Sequence, residues 1–242
     1  MNHLYQKSRI WFAVVWIVVY VVGTSAADAI SRAIHLEKSI TLLYLALLTV
    51  ALVLWLCRNG LLREYGICKP EIDAKQMLYY LPLVLIASCN LWFGMSVHGS
   101  VMETVFYVCS MLCVGFLEEL IFRGLLFEAM RKDSLKAAVI VSSLTFGMGH
   151  IVNLLNGSGA ELLSNLCQVL YATAAGFLFV IIFLKTKSLW PCIITHSVLN
   201  GLSAFAATQT KAQEIFAAAV LCVVPVLYSL YICKKVSSQI SS

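Results

Sequence analysis

Residues 101–127 read VMETVFYVCSMLCVGFLEELIFRGLLF. The run is long enough for a membrane-crossing helix, which needs about 20 apolar residues. Its second half nevertheless holds Glu118, Glu119 and Arg123. Each such charge costs roughly 2.5–3.5 kcal/mol at the centre of a bilayer. Charges retained at that cost face a protein interior or a wet cavity and mark function. Helical geometry separates their roles. Glu119 and Arg123 stand i,i+4 on one face and can pair. Glu118 points about 100° away, which leaves it free for chemistry. A salt bridge that only glues helices accounts for Glu119 and Arg123, but not for a second adjacent carboxylate.

Seven more apolar runs flank this one, at about 10–27, 40–57, 77–93, 137–155, 162–184, 189–207 and 215–233. The chain has 242 residues, of which 61% are hydrophobic and 12% charged. A soluble domain is roughly 45–50% apolar and about 25% charged. Eight spans use about 160 residues, which nearly exhausts the chain. A soluble enzyme, a disordered chain and a secreted disulfide scaffold are all excluded. Backbone groups in lipid must bond within their own segment, so the runs read as helices. A barrel would alternate over about ten residues, and no such alternation occurs. The expected fold is all-α, a polytopic helical bundle of about eight spans forming one integral-membrane domain over 1–242. The first run is longer than a signal-peptide core and reads as a retained helix. The nine cysteines include no CxxC pair, and most sit in apolar runs as small hydrophobes.

The basic residues set the orientation. Thirteen of the seventeen Lys and Arg fall in alternate loops and at the termini: Lys7 and Arg9, then Arg58 to Lys75, Arg131 to Lys136, Lys185 and Lys187, and Lys234 and Lys235. Only Arg32, Lys38 and Lys211 fall on the other side, and Arg123 lies within a span. The positive-inside rule places both termini in the cytoplasm. No basic tract is interleaved with aromatics, so nucleic acid is not an expected partner.

Two further polar clusters lie in apolar runs. One is Phe146-Gly147-Met148-Gly149-His150, preceded by Ser142, Ser143 and Thr145 and followed by Asn153 and Asn156. Its glycines suit close helix approach. The other is His196-Ser197-Val198-Leu199-Asn200, in which His196 and Asn200 share a helical face. Measured along ideal helices from the basic side, Glu118 lies about 15 Å in, His150 about 21 Å, His196 about 10 Å and Asn200 about 16 Å. The four residues can meet at one level, in or just cytoplasmic of the midplane.

Three motifs carry a family resemblance. Glu118-Glu119-Leu-Ile-Phe-Arg123 resembles the EExxxR motif of the CAAX prenyl protease and bacteriocin-processing (CPBP) family of intramembrane proteases. Phe146 to His150 resembles its FxxxH motif, and His196 to Asn200 its HxxxN motif. They occur in the family's order, over a motif region of about 112–203. The resemblance implies an intramembrane endopeptidase acting on membrane-associated or lipidated proteins, or on secreted peptide precursors, in a bilayer, with a prokaryotic plasma membrane suiting the chain's size. Glu118 and His150 would activate water, and His196 and Asn200 would face the oxyanion. Glu119, Arg123 and Asn153 would support them. This fits amide hydrolysis, which needs a base, a nucleophile and donors aimed at developing charge. No cofactor is expected. Were the enzyme metal-dependent, a zinc ion would take Glu118, His150 and His196, all suitable ligand types. Two other functional classes use the same buried cluster: a proton-coupled transporter, and a non-proteolytic membrane scaffold or immunity protein. A transporter commonly shows inverted repeats with matched broken helices, and the sequence shows neither.

Overall fold

A computed structural model describes residues 1–71, 81–97, 99–157 and 159–240, without the side chains of 235–240. Nine helices follow one another in the described chain: α1 (Asn2–Lys7), α2 (Arg9–Ala33), α3 (Ser39–Arg58), α4 (Leu81–Ala87), α5 (Val101–Arg131), α6 (Leu135–Gly149), α7 (Leu162–Thr186), α8 (Trp190–Leu202) and α9 (Lys211–Ile240). Among the described residues the fold is all-α. Among the described residues, six helices are long and apolar enough to cross a membrane: α2, α3, α5, α6 with its 3₁₀ extension His150–Leu154, α7, and α9 over Lys211–Lys234. This is a multi-pass integral membrane protein. Val15, Leu47, Leu170 and Leu227 point outward from these helices, as lipid-facing side chains do.

Of the two remaining expected spans, one is shorter. The run at 189–207 forms only the thirteen-residue α8, followed by a 3₁₀ turn at Ser203–Phe205. At 1.5 Å per residue α8 is about 20 Å long, less than a hydrocarbon core of about 30 Å. Its end is drawn into a turn where the Ser203 hydroxyl donates to the Asn200 carbonyl at 2.5 Å. The run at 77–93 is described from Leu81 onward, as α4 and a 3₁₀ turn at Cys89–Leu91. Its first residues, 77–80, lie outside the described residues.

Local signals fix where the helices begin. Ser100 and Glu103 form a reciprocal capping box at the start of α5, which accounts for the one early charge in that run. Ser134 caps α6 through its bond from Ala137 N. α5 does not stay α-helical: Glu119–Phe127 widens into a π-helix, every residue of it buried. The Ser142 hydroxyl of α6 donates to the Phe122 carbonyl in this segment at 2.8 Å.

α5 packs among α2, α3 and α8, while α7 packs between α6 and α9. Two glycines permit these approaches. A Cβ on Gly115 of α5 would lie 2.7 Å from Ser197 N of α8, and one on Gly147 of α6 would lie 2.8 Å from the Val169 carbonyl of α7. Gly149, expected to do the same, meets nothing within 4 Å.

The two ends of the bundle differ. At the end carrying the basic loops, the segment after α3 is laced to the α7–α8 turn: Leu189 N donates to the Gly66 carbonyl at 2.8 Å, and Glu71 N to the Thr186 carbonyl at 2.9 Å. Beneath it Tyr65, Leu120, Leu125, Phe127, Phe183 and Leu189 form solid core. At the opposite, low-charge end, Met95 and Ala206 form an isolated antiparallel bridge.

Candidate active site

The polar residues of α5 and α8 converge. Arg123 Nη1 donates to Glu119 Oε1 at 3.1 Å, and neither side chain has any exposed surface. The expected i,i+4 pair is therefore present, carried within the π-helical stretch. The guanidinium lies against two rings, 3.9 Å from the Phe146 centroid and 5.6 Å from that of Phe179. These contacts supply cation–π attraction where no water can solvate it. Gly176 of α7 makes room, since a Cβ there would stand 3.0 Å from Arg123 Nη2.

His196 joins the pair to the second carboxylate. Its Nδ1 lies 2.8 Å from Glu119 Oε1, and its Nε2 lies 3.5 Å from Glu118 Oε2. A carboxylate oxygen can only accept, so Nδ1 is the donor to it. The His196 ring meets Phe146 edge-on, with centroids 5.6 Å apart. The other oxygen of Glu118, Oε1, accepts a hydrogen bond of 2.7 Å from the Tyr20 hydroxyl of α2. Oε2 of Glu118 is buried and makes no hydrogen bond to the described protein.

Glu118, His150, Asn153, His196 and Asn200 all line one cavity of about 470 Å³. Glu119 and Arg123 stand behind its wall and do not line it. The separation of the two carboxylates expected from helical geometry thus holds. His150 sits in the 3₁₀ turn that ends α6, edge-on to Phe146 with centroids 5.5 Å apart. Its backbone carbonyl is held by Asn165 Nδ2 at 2.8 Å. Its ring and the side chain of Asn200 share the cavity with Glu118 but make no direct hydrogen bond to it. Asn153 Nδ2 donates to Gln168 Oε1 at 3.1 Å.

The cavity has a closed and an open end. Its floor includes Phe122, Phe146 and Phe179, all buried, and the solid core of the basic end lies beyond them. From there it rises past Glu118 and His196 to a rim of Asp28, Lys38, Asn156 and the exposed Ala160. Asp28 and Lys38 are paired at 2.8 Å. No lining residue comes from a basic loop.

Among the described residues, no three His, Cys, Asp or Glu side chains form a group able to hold a metal ion. Glu118, His150 and His196 share the cavity without such convergence.

Comparison with known proteins falls on this same region. Residues 100–202 match the family model described as Type II CAAX prenyl endopeptidase Rce1-like. That segment holds α5 to α8 and every residue of the three motifs. A curated Bacillus subtilis (strain 168) protein, "Putative membrane peptidase YdiL", is 31% identical over 94 residues, 38% of this chain. The match spans about a third of that relative's length. The family-model match thus covers the stretch that carries the three motifs.

Sequence reasoning missed two contributors. Tyr20 reaches Glu118 from a helix far outside the motif region. Phe179, also outside the motifs, packs over Arg123 and forms part of the cavity floor.

Proposed function

We propose that the protein is an intramembrane endopeptidase that hydrolyses peptide bonds of membrane-associated substrates with Glu118 as the base that activates water. The observation that carries this reading is the pairing of Glu118 Oε2 with His196 Nε2, 3.5 Å apart at a cavity wall. A nucleophilic water and a scissile carbonyl need a base and a donor converging on one small volume. Oε2 is the carboxylate oxygen left for that work, because Tyr20 holds Oε1.

The chemistry divides between front and back of the wall. Glu118 takes a proton from water as the oxygen attacks the carbonyl carbon. The C=O electron pair moves onto oxygen, where an N–H of His196 and the amide of Asn200 stabilise it. His150, on the same cavity, assists Glu118 in holding the water. Collapse of the tetrahedral intermediate expels the amine, which takes up the proton that Glu118 received. Behind the wall, Glu119 orients His196 by accepting from Nδ1, and Arg123 keeps Glu119 an acceptor.

The test is cleavage of an internally quenched peptide library by purified protein, with Glu118→Ala and His196→Ala alongside. Loss of cleavage in both supports the assignment, and cleavage that persists in both overturns it. A chelator arm decides the mechanism: activity lost to the chelator and restored by zinc would replace the metal-free scheme with a zinc one.

A further inference from the structure

The direction from which the cavity is reached has a consequence for the substrate. Each helix that lines it does so from the level of Glu118 to one end only. On α2 the lining residues run from Tyr20 to Asp28, on α5 from Phe122 back to Tyr107, and on α8 from His196 to Ser203. These stretches all lead to the end that carries Arg32, Lys38 and Lys211, and away from the twelve described basic residues of the other end. The positive-inside rule makes the heavily basic end cytoplasmic.

The rim also has a definite chemistry. Its one ion pair, Asp28 with Lys38, is internally neutralised. Otherwise the walls above Glu118 carry, among apolar residues, side-chain amides such as Gln168 and Asn200 and hydroxyls such as Thr24, Tyr107 and Ser203. Amides offer both donors and acceptors, as an extended peptide backbone requires. A surface built for phosphate or an anionic headgroup would instead carry unpaired Arg or Lys.

We propose that the site is served from the extracytoplasmic side, and that its substrate is an extracytoplasmic segment of an exported or membrane-anchored peptide rather than a cytoplasmic lipidated tail. The substrate part of this inference rests on the peptidase reading above, while the direction of access stands on the cavity and the charge distribution alone.

Two measurements separate these parts. In intact cells producing the full chain, a membrane-impermeant maleimide is applied to Ala160→Cys at the rim, Thr24→Cys inside the cavity and Asp133→Cys in a basic loop. Label is read as the increment over the unaltered chain with its native cysteines. Ala160→Cys and Thr24→Cys are expected to label in intact cells as fully as after permeabilisation, and Asp133→Cys only after permeabilisation. The reverse pattern overturns the proposal. In the second measurement, a lipid-tethered quenched peptide is offered to right-side-out and to inverted membrane vesicles. Cleavage confined to right-side-out vesicles supports the proposal, and cleavage confined to inverted ones overturns it. Cleavage in neither overturns the peptidase reading, and the labelling still decides the direction of access.

Discussion

The Tyr20 hydroxyl stands 2.7 Å from Glu118 Oε1, joining the first long helix to the acidic pair across 98 residues of sequence. This bond fixes the rotation of the carboxylate and assigns its two oxygens different tasks. Tyr20→Phe removes the donor and keeps the ring. A hydrogen bond to a charged group contributes about 1.5–3 kcal/mol, so kcat is expected to fall about 10-fold or more while KM holds. A steady-state kcat and KM comparison checks this, with Tyr20→Leu as the control that loses ring packing as well. An unchanged kcat in Tyr20→Phe would remove Tyr20 from the positioning role.

Glu118→Gln keeps an acceptor for Tyr20 and deletes the base. Activity is expected to fall about 10²- to 10⁴-fold, the usual contribution of a general base. Thermal unfolding in detergent should scarcely change, because the side chain's shape and its bond to Tyr20 persist. A large drop in Tm would assign Glu118 a structural task instead.

Arg123 and Glu119 are expected to behave in the opposite way. Neither lines the cavity, and both are fully buried. Removing one partner of a buried pair costs about 3–5 kcal/mol. Arg123→Met should therefore lower Tm and folded yield far more than Glu118→Gln does. The double variant Arg123→Met/Glu119→Gln should recover part of that stability, since it leaves no unpaired charge. Unfolding curves of the three variants, measured side by side, check both statements.

The glycines offer a graded test of packing. Gly115→Ala places a methyl group against the backbone of Ser197, and Gly147→Ala places one against the Val169 carbonyl. Overpacking of this kind costs about 1–3 kcal/mol. Gly115→Ala should also impair activity, because pushing α5 from α8 separates Glu118 from His196. Gly149→Ala meets open space and should lack this overpacking penalty. Equal destabilisation by all three would contradict the packing described.

Several of these relationships were legible in the sequence because they depend on local spacing. The pairing of Glu119 with Arg123 needed only their separation along one helix, and six spans needed only apolar length. Gathering Glu118, His150, His196 and Asn200 at one cavity followed from depth along helices of opposite direction. The remainder depends on distant partners. Nothing around Tyr20 distinguishes it from other tyrosines in apolar runs, since what sets it apart is a carboxylate on another helix. The bridging pose of His196, with Nδ1 on one glutamate and Nε2 facing the other, requires three-dimensional placement. The π-helix at Glu119–Phe127 departs from the 3.6-residue period on which the sequence reading rested. Apolar residues continue past Leu202, where the backbone of α8 turns, so hydropathy alone marks a run longer than the helix.

Phe122, Phe146 and Phe179 at the cavity floor have a consequence for the cell. A hydrolytic site within a bilayer must admit water, and a continuous water file across an energised membrane would conduct protons. The three rings and the aliphatic core behind them stop the wet column partway. The same Phe146 and Phe179 rings that steady Arg123 would thus serve as a bung in the proposed peptidase, keeping the water that hydrolysis needs from becoming a proton path across the membrane.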